Sequence, residues 1–230
     1  MGRPLAVGMR RYEIIGGCIY LAFYLFIMSS AVYLILDLLG LRVDSVMLNK
    51  VYFLANFIIT AIIFRRFLAY SLPVAADRPL RFLGGILLGF CIYEGCAVAM
   101  GILCDLVAPD LWTPNDDNIR SIAAGNYRVM WVGAVLLAPL TEETLIRGLI
   151  FGNIRRKSRV LAYIVTALVF AFMHVVGYIL DMSLLDLALN LALYVFPSAA
   201  LCAAYEYAGT IWAPIALHMI LNALSMGMIG

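Results

Sequence analysis

Seven long apolar stretches constrain this chain of 230 residues more than any other feature of its sequence. A helix needs about 20 mostly apolar residues to cross the hydrocarbon core of a bilayer, and the stretches are close to that length. The sequence therefore predicts an all-α polytopic bundle of seven spans, or eight if the segment around 105–128 adds an element. The stretches lie near residues 14–39, 46–64, 82–107, 129–151, 160–180, 184–205 and 211–229.

The composition indicates a single membrane-embedded domain over residues 1–230. Hydrophobic residues make up 65% of the chain, charged residues only 13%, and the mean hydropathy is +0.99, far from the values of soluble domains. Within this domain we distinguish N-terminal spans (14–107) from a four-helix core (129–229). The first apolar stretch is too long for the core of a signal peptide, so it is predicted to be an uncleaved span.

The net charge and the cysteines argue against a nucleic-acid-binding protein and against a disulfide-rich protein. A net charge of +2 with scattered basic residues does not predict a nucleic-acid partner. The five cysteines lie in or near apolar stretches, and an odd number without loop spacing predicts no disulfide framework. The fold is therefore expected to depend on helix packing within the bilayer.

The positions of lysine and arginine predict a cytoplasmic N-terminus. With seven spans, this orientation places eleven basic residues on the cytoplasmic side and four on the other, as the positive-inside rule requires. The cytoplasmic residues are Arg3, Arg10, Arg11, Arg65, Arg66, Arg78, Arg81, Arg155, Arg156, Lys157 and Arg159, and the others are Arg42, Lys50, Arg120 and Arg128.

The segment LLAPLTEETLIRGLIFG (136–152) places charged side chains inside an apolar stretch. Each ionised side chain at the bilayer centre costs about 2.5 to 3.5 kcal/mol on insertion scales, so these residues need a compensating interaction. Glu143 and Arg147 are four residues apart, which predicts an ion pair on one helix face. Glu142 lies about 140° away from Arg147 around the helix, which leaves it free for another task. Pro139 is expected to kink this helix.

The two histidines of the chain, His174 and His218, both lie in predicted spans. At about 1.5 Å of rise per residue, Glu142, His174 and His218 are each about 18 to 22 Å from a flanking charge. Three helices can therefore present a glutamate and two imidazoles at one depth. Phe170 shares a helix face with His174, and Asn222 shares one with His218, which places an amide beside the second imidazole.

A carboxylate and two imidazoles at one depth are suited to hydrolysis by either of two mechanisms. In the first, Glu142 acts as a general base toward water, while the imidazoles and Asn222 stabilise an oxyanion. In the second, Glu142, His174 and His218 bind zinc and leave its fourth position open. The spacing leaves both mechanisms open.

Three motifs of the chain, in order, resemble those of the CAAX protease and bacteriocin-processing (CPBP) family of intramembrane metalloproteases, also called type II CAAX prenyl endopeptidase-like proteins. The motifs are EETLIR (142–147), FAFMH (170–174) and HMILN (218–222). The resemblance covers residues 129 to 226. It implies an intramembrane endopeptidase with its catalytic cavity between helices in the cytoplasmic half of the bilayer.

Carried over by position, the resemblance also implies a role for each motif residue. Glu142 with His174 would activate the attacking water, and His218 with Asn222 would form the oxyanion site. Glu143 and Arg147 would be structural or would assist orientation. The implied partners are membrane lipids and a membrane-associated or lipidated peptide or protein substrate. Zn²⁺ is a provisional cofactor with Glu142, His174 and His218 as its ligands, since a metal-free glutamate mechanism is also proposed for some members.

Two other classes of function are compatible with buried polar residues. A non-catalytic immunity or scaffold protein would use the motif residues as a structural network between helices. A small transporter would relay protons through its buried carboxylates, but the two halves of the sequence show no internal symmetry of the kind such proteins have. Glu94, in the third apolar stretch, matches no family motif. It is predicted to face the bundle interior as a protonated or hydrogen-bonded glutamate, and a role in shaping the substrate cavity is the alternative.

Overall fold

The computed structural model describes residues 5–229, in which nine helices and no strands are found. The all-α prediction is therefore confirmed, while Arg3 lies outside the described residues. The helices are α1 (Arg11–Phe26), α2 (Met28–Leu38), α3 (Ser45–Ile63), α4 (Arg65–Asp77), α5 (Pro79–Val107), α6 (Pro114–Ile154), α7 (Arg159–Val175), α8 (Leu184–Ala208) and α9 (Trp212–Gly227).

Four of the described helices, α3, α5, α6 and α8, are long and apolar enough to cross a membrane. Helices α1 and α2 pass the same test together, but they are bent by 72° with respect to each other. Helices α7 and α9 are apolar but shorter, at 17 and 16 residues. Each predicted stretch therefore contains a helix or a bent pair, and the number of membrane crossings stays a prediction.

Helix α4 occupies residues that the sequence predicted to be part of a cytoplasmic loop. The apolar stretch ends before Arg65 and Arg66, but only Phe64 separates the end of α3 from the start of α4. A buried carboxylate holds this junction, because Glu13 of α1 accepts hydrogen bonds from the Phe67 backbone N–H (2.8 Å) and from Arg66 Nη1 (3.1 Å). The two arginines therefore begin a second helix and not a loop.

Helices α5 and α8 pack closely through small residues. A Cβ atom added at Gly85 would lie 2.9 Å from the Ala204 carbonyl oxygen and 2.9 Å from Ala208 Cβ. A Cβ atom at Gly89, one turn further along, would overlap Leu217 of α9. This spacing of small residues is typical of helix pairs in membranes, where close backbone approach provides the packing energy. It holds α8 and α9 against α5.

Glu94 is exposed on α5, so the prediction that it faces the bundle interior is wrong. The reason is its position around the helix. Glu94 follows Gly89 by five residues, which rotates it by about 140° from the face that packs against α8.

Helix α6 contains one break and two π-helical segments. The backbone leaves the helical conformation at Asn126 (φ −159°, ψ 89°). The π-helical segments Val132–Leu137 and Thr144–Phe151 flank a short α-helical segment, Ala138–Glu143, which carries Pro139 near its start. The residues just before Pro139 keep helical dihedral angles. The kink expected at this proline stays a prediction.

One end of the bundle gathers three segments that were predicted to be cytoplasmic. The Ala6 backbone N–H donates to the Gly209 carbonyl (3.1 Å), which fixes the N-terminal segment to the turn after α8. Arg155, just after α6, pairs with Glu206 near the end of α8 at 2.7 Å. The N-terminal segment, the turn between α6 and α7, and the turn between α8 and α9 therefore lie on the same side.

Candidate active site

A buried ion pair connects α6 to two neighbouring helices. Arg147 Nη1 lies 3.0 Å from Glu143 Oε1, and both side chains are fully buried. Arg147 Nη2 donates to the hydroxyl (2.8 Å) and the carbonyl (3.2 Å) of Ser198 in α8, and the guanidinium lies 4.3 Å from the ring centre of Phe170 in α7. The ion pair predicted from the four-residue spacing is confirmed. Ser198 was not predicted, because a single serine inside an apolar helix does not indicate which partner it contacts.

Glu143 also fixes the orientation of His218. Nδ1 of His218 lies 2.8 Å from Glu143 Oε1. Because an ionised carboxylate only accepts hydrogen bonds, Nδ1 must carry a proton and donate. The other ring nitrogen, Nε2, faces Glu142 at 4.0 Å from Oε2, which is too long for a direct hydrogen bond. The two adjacent glutamates therefore lie at opposite nitrogens of the same imidazole.

Glu142 is the more accessible of the two glutamates. Its side chain is 13% exposed, whereas that of Glu143 is fully buried. Tyr24 of α1 and Tyr52 of α3 lie near its carboxylate, and their ring centres are 6.2 Å apart. Glu142 therefore lies where the C-terminal helices meet the first helices. The sequence singled out neither tyrosine, because tyrosines are common in membrane-protein helices.

His174 is held by its own helix and by α8. Its Nδ1 lies 2.8 Å from the Phe170 carbonyl oxygen, which only accepts, so Nδ1 carries the proton and Nε2 of the neutral ring is an acceptor. The ring of Tyr194 stacks on the imidazole with centres 4.3 Å apart and an interplanar angle of 19°. The imidazole therefore has a defined tautomer and a defined plane, with Nε2 left for another partner.

Phe170 brings the three motifs into one cluster. The centre of its ring lies 4.5 Å from that of His174, 6.1 Å from that of His218 and 4.3 Å from the Arg147 guanidinium. Glu142 lies beside His218, and the Phe170 ring lies between His218 and His174 in this series of contacts. The structure thus brings together both histidines and the three charged residues of the first motif, Glu142, Glu143 and Arg147. Their chemical roles stay a prediction.

Asn222 contacts α6 at a carbonyl that lies five residues before Pro139. Its Nδ2 donates to the Ala134 carbonyl oxygen at 2.8 Å. A π-helical hydrogen bond connects residues five apart, but Pro139 has no N–H with which to make it. Asn222 therefore supplies the donor that the proline lacks. The second N–H and the oxygen of this amide are left for other partners.

The provisional zinc ligands do not form a metal site in this arrangement. Across residues 5–229, no group of three or more His, Cys, Asp and Glu side chains is close enough together to hold a metal ion. Because the side chains as placed do not fit zinc, we derive no chemical step through a metal.

A comparison with protein families agrees with the motifs. The family model described as type II CAAX prenyl endopeptidase Rce1-like matches residues 124–224. We call residues 124–224, which are similar to this family, the Rce1-like segment. The Rce1-like segment contains all three motifs, so the resemblance that the motifs indicated is confirmed. No curated protein and no solved structure shows a significant match to the chain.

The Rce1-like segment begins just before the break in α6 and ends within α9. It contains every member of the cluster around Phe170, whereas Tyr24 and Tyr52 lie outside it. The match indicates a hydrolase of the CAAX protease type, and the long apolar helices fit an integral membrane protein.

Proposed function

We propose that this protein is an intramembrane endopeptidase that hydrolyses a peptide bond in a membrane-associated or lipidated peptide or protein. The observation that carries the proposal is the division between the two glutamates. Glu143 is committed to Arg147 and to Nδ1 of His218, while Glu142 is partly exposed and lies on the Nε2 side of the same ring. The Rce1-like match supports a protease of the CAAX type.

Glu142 is the general base in this mechanism. It takes a proton from a water molecule while the water oxygen attacks the carbonyl carbon of the substrate. Nε2 of His174 is an acceptor, so it can hold the other hydrogen of that water. When the tetrahedral intermediate collapses, the C–N bond breaks and Glu142 returns its proton to the leaving amine.

His218 and Asn222 stabilise the oxyanion. With Nδ1 held by Glu143, His218 presents Nε2 toward Glu142, and an imidazolium can donate from that nitrogen to a developing negative charge. An imidazolium also balances the buried charges, because His218 and Arg147 are then positive while Glu142 and Glu143 are negative. When Glu142 takes up a proton, the oxyanion replaces its negative charge, so the cluster stays neutral through the reaction.

The proposed topology has seven or eight spans, a cytoplasmic N-terminus and α6 to α9 as the catalytic core. It is supported by the common end at which the N-terminal segment, the basic turn after α6 and the turn after α8 meet. Charge bias predicts that this end is cytoplasmic. We propose that the site lies in the cytoplasmic half of the bilayer.

Cleavage of prenylated and membrane-tethered reporter peptides by the detergent-purified protein tests this function. We expect wild-type protein to cleave, and Glu142→Gln to lose about 100-fold or more of the rate at an unchanged melting temperature, as removal of a general base does. Glu94→Gln is the matched control, since Glu94 is an exposed glutamate on α5. The zinc content of the purified protein, measured in parallel, tests the provisional cofactor.

Two results would contradict the proposal. One is full activity in a folded Glu142→Gln variant. The other is a stable wild-type protein that cleaves no peptide of a broad panel, which would favour the non-catalytic immunity or scaffold function.

A further inference from the structure

The imidazole of His174 depends on a neighbouring helix for its orientation. His174 lies in the last turn of α7, and its hydrogen bond to the Phe170 carbonyl comes from within the same helix. That bond fixes one ring nitrogen but does not by itself fix the plane of the ring. The stacked ring of Tyr194, at 4.3 Å and 19°, supplies this second constraint from α8.

Tyr194 is itself held from the start of α6. Its hydroxyl accepts a hydrogen bond from Asn115 Nδ2 at 3.1 Å and donates toward Asp116 Oδ1 at 3.5 Å. One turn earlier on α8, Asn190 Nδ2 donates to the Trp112 carbonyl at 2.9 Å. Asn190 and Tyr194 are four residues apart and share a helix face. Helix α8 therefore contacts the segment just before α6 at one turn and the start of α6 at the next.

We propose that Tyr194 is a positioning residue for His174 through the stacking of its ring on the imidazole; this rests on the catalytic role proposed for His174. The stacked phenol ring limits rotation of the imidazole, which keeps Nδ1–H on the Phe170 carbonyl and Nε2 in the site. A reacting group displaced by about 1 Å can lower a rate by about 100-fold, so such a constraint affects turnover directly. The sequence alone did not indicate it, because Tyr194 belongs to none of the three motifs.

Three variants on α8 separate stacking from general structural effects. Tyr194→Leu removes the aromatic face, whereas Tyr194→Phe keeps the face and removes only the hydroxyl group. Tyr207→Leu makes the same change at a tyrosine of the same helix that is 45% exposed, and it serves as the control. The variants are compared at matched melting temperature in detergent.

The first measurement is NMR of the full chain labelled with ¹⁵N-histidine. The chain has only two histidines, so two imidazoles are observed, and a His174→Gln variant assigns them. We expect Tyr194→Leu to convert His174 from the Nδ1–H tautomer to an average of both tautomers, with His218 unchanged. Tyr194→Phe and Tyr207→Leu should resemble the wild type. A fixed His174 tautomer in Tyr194→Leu would overturn the proposal.

The second measurement is the kinetics of peptide cleavage. We expect Tyr194→Leu to lower kcat by about 10- to 100-fold with little change in KM, as loss of orientation predicts, and Tyr194→Phe to restore most of kcat. Equal loss in the Leu and Phe variants would show that stacking is not the cause and would overturn the proposal. If the wild type cleaves no peptide, the proposed function fails, while the NMR comparison still decides whether Tyr194 holds His174.

Discussion

The side chain of Asn222 donates a hydrogen bond of 2.8 Å to the carbonyl of Ala134, five residues before Pro139. A residue of the third motif thus supports α6 just before the glutamates of the first motif. In the π-helical segment Val132–Leu137, the Ala134 carbonyl would accept a hydrogen bond from the backbone N–H of residue 139, but a proline has no N–H. The side-chain amide of Asn222 in α9 donates to this carbonyl instead. Asn222 therefore has a structural contact in addition to the oxyanion role that we propose for it.

Replacement of Asn222 by alanine should destabilise the protein as well as slow cleavage. The Ala134 carbonyl would be left without a partner in an apolar environment, which costs about 1 to 3 kcal/mol of unfolding free energy. Thermal unfolding in detergent measures this loss. Asn49→Ala is the matched control, because the Asn49 amide bonds to the Ser45 carbonyl within its own exposed helix turn.

Pro139→Ala tests the origin of this contact. Alanine supplies the backbone N–H that the proline lacks. In this variant the Ala134 carbonyl can accept a hydrogen bond from that N–H as well as from the Asn222 amide. We expect Asn222→Ala to cost about 1 kcal/mol less in the Pro139→Ala background than in the wild type. Additive effects of the two substitutions would show that Asn222 and Pro139 are independent.

The two glutamates should differ sharply in their effect on stability. Glu143→Gln leaves the buried Arg147 guanidinium without its counter-charge, and breaking a buried pair in this way costs about 3 to 5 kcal/mol. Glu142→Gln breaks no ion pair with an arginine and removes a partly exposed charge, so we expect its melting temperature to stay within a few degrees of the wild type. Its activity should nevertheless be lost.

Unfolding of both glutamate variants by heat in the same detergent measures this difference. A similar loss of stability in the two variants is the result expected of a purely structural polar network, and it would contradict the division of roles between Glu142 and Glu143.

The substitution Arg147→Lys should lower stability, because a lysine cannot make all the contacts of this arginine. Arg147 uses Nη1 for Glu143 and Nη2 for Ser198, and a lysine has a single ammonium group that cannot reproduce this fork. We expect a loss of about 1 to 3 kcal/mol in unfolding free energy, since the Ser198 contacts are lost inside the bundle. Ser198→Ala should cost less, because the Ser198 carbonyl still accepts from Arg147. Equal stability of Arg147→Lys and the wild type would show that the charge alone matters.

Much of the cluster was predictable because helical spacing is a short-range property. The four-residue offset of Glu143 and Arg147 predicts their ion pair, and the same offset predicts that Phe170 lies beside His174. Equal depth along three helices allowed both histidines to lie near the glutamates, although it did not by itself predict their proximity. These inferences needed only the helical rise and the number of residues per turn.

The remaining features depend on contacts between helices that are distant in sequence. Nothing local distinguishes Tyr194 or Ser198 from the other polar residues of an apolar helix until α6 and α7 are placed beside α8. Helix α4, which begins at Arg65, was missed for a related reason, since its position is fixed by Glu13, more than fifty residues earlier. Glu94 was assigned to the wrong face because the packing face of α5 is set by glycines, which carry no hydrophobic signal.

The glycines of α5 provide the last prediction, which tests the packing that holds α8 and α9 in place. A methyl group at Gly85 would lie 2.9 Å from the Ala204 carbonyl oxygen, a backbone atom that cannot move without shifting α8. We expect Gly85→Ala to lower the unfolding free energy by about 1 to 3 kcal/mol, as overpacking does. Gly95→Ala is the control on the same helix, because a Cβ atom there meets no other described residue within 4 Å. It should stabilise the helix by about 0.5 to 1 kcal/mol. Thermal unfolding of the two variants in one detergent decides the matter, and a loss of stability at Gly95 equal to that at Gly85 would show that α5 does not pack on α8 through this face.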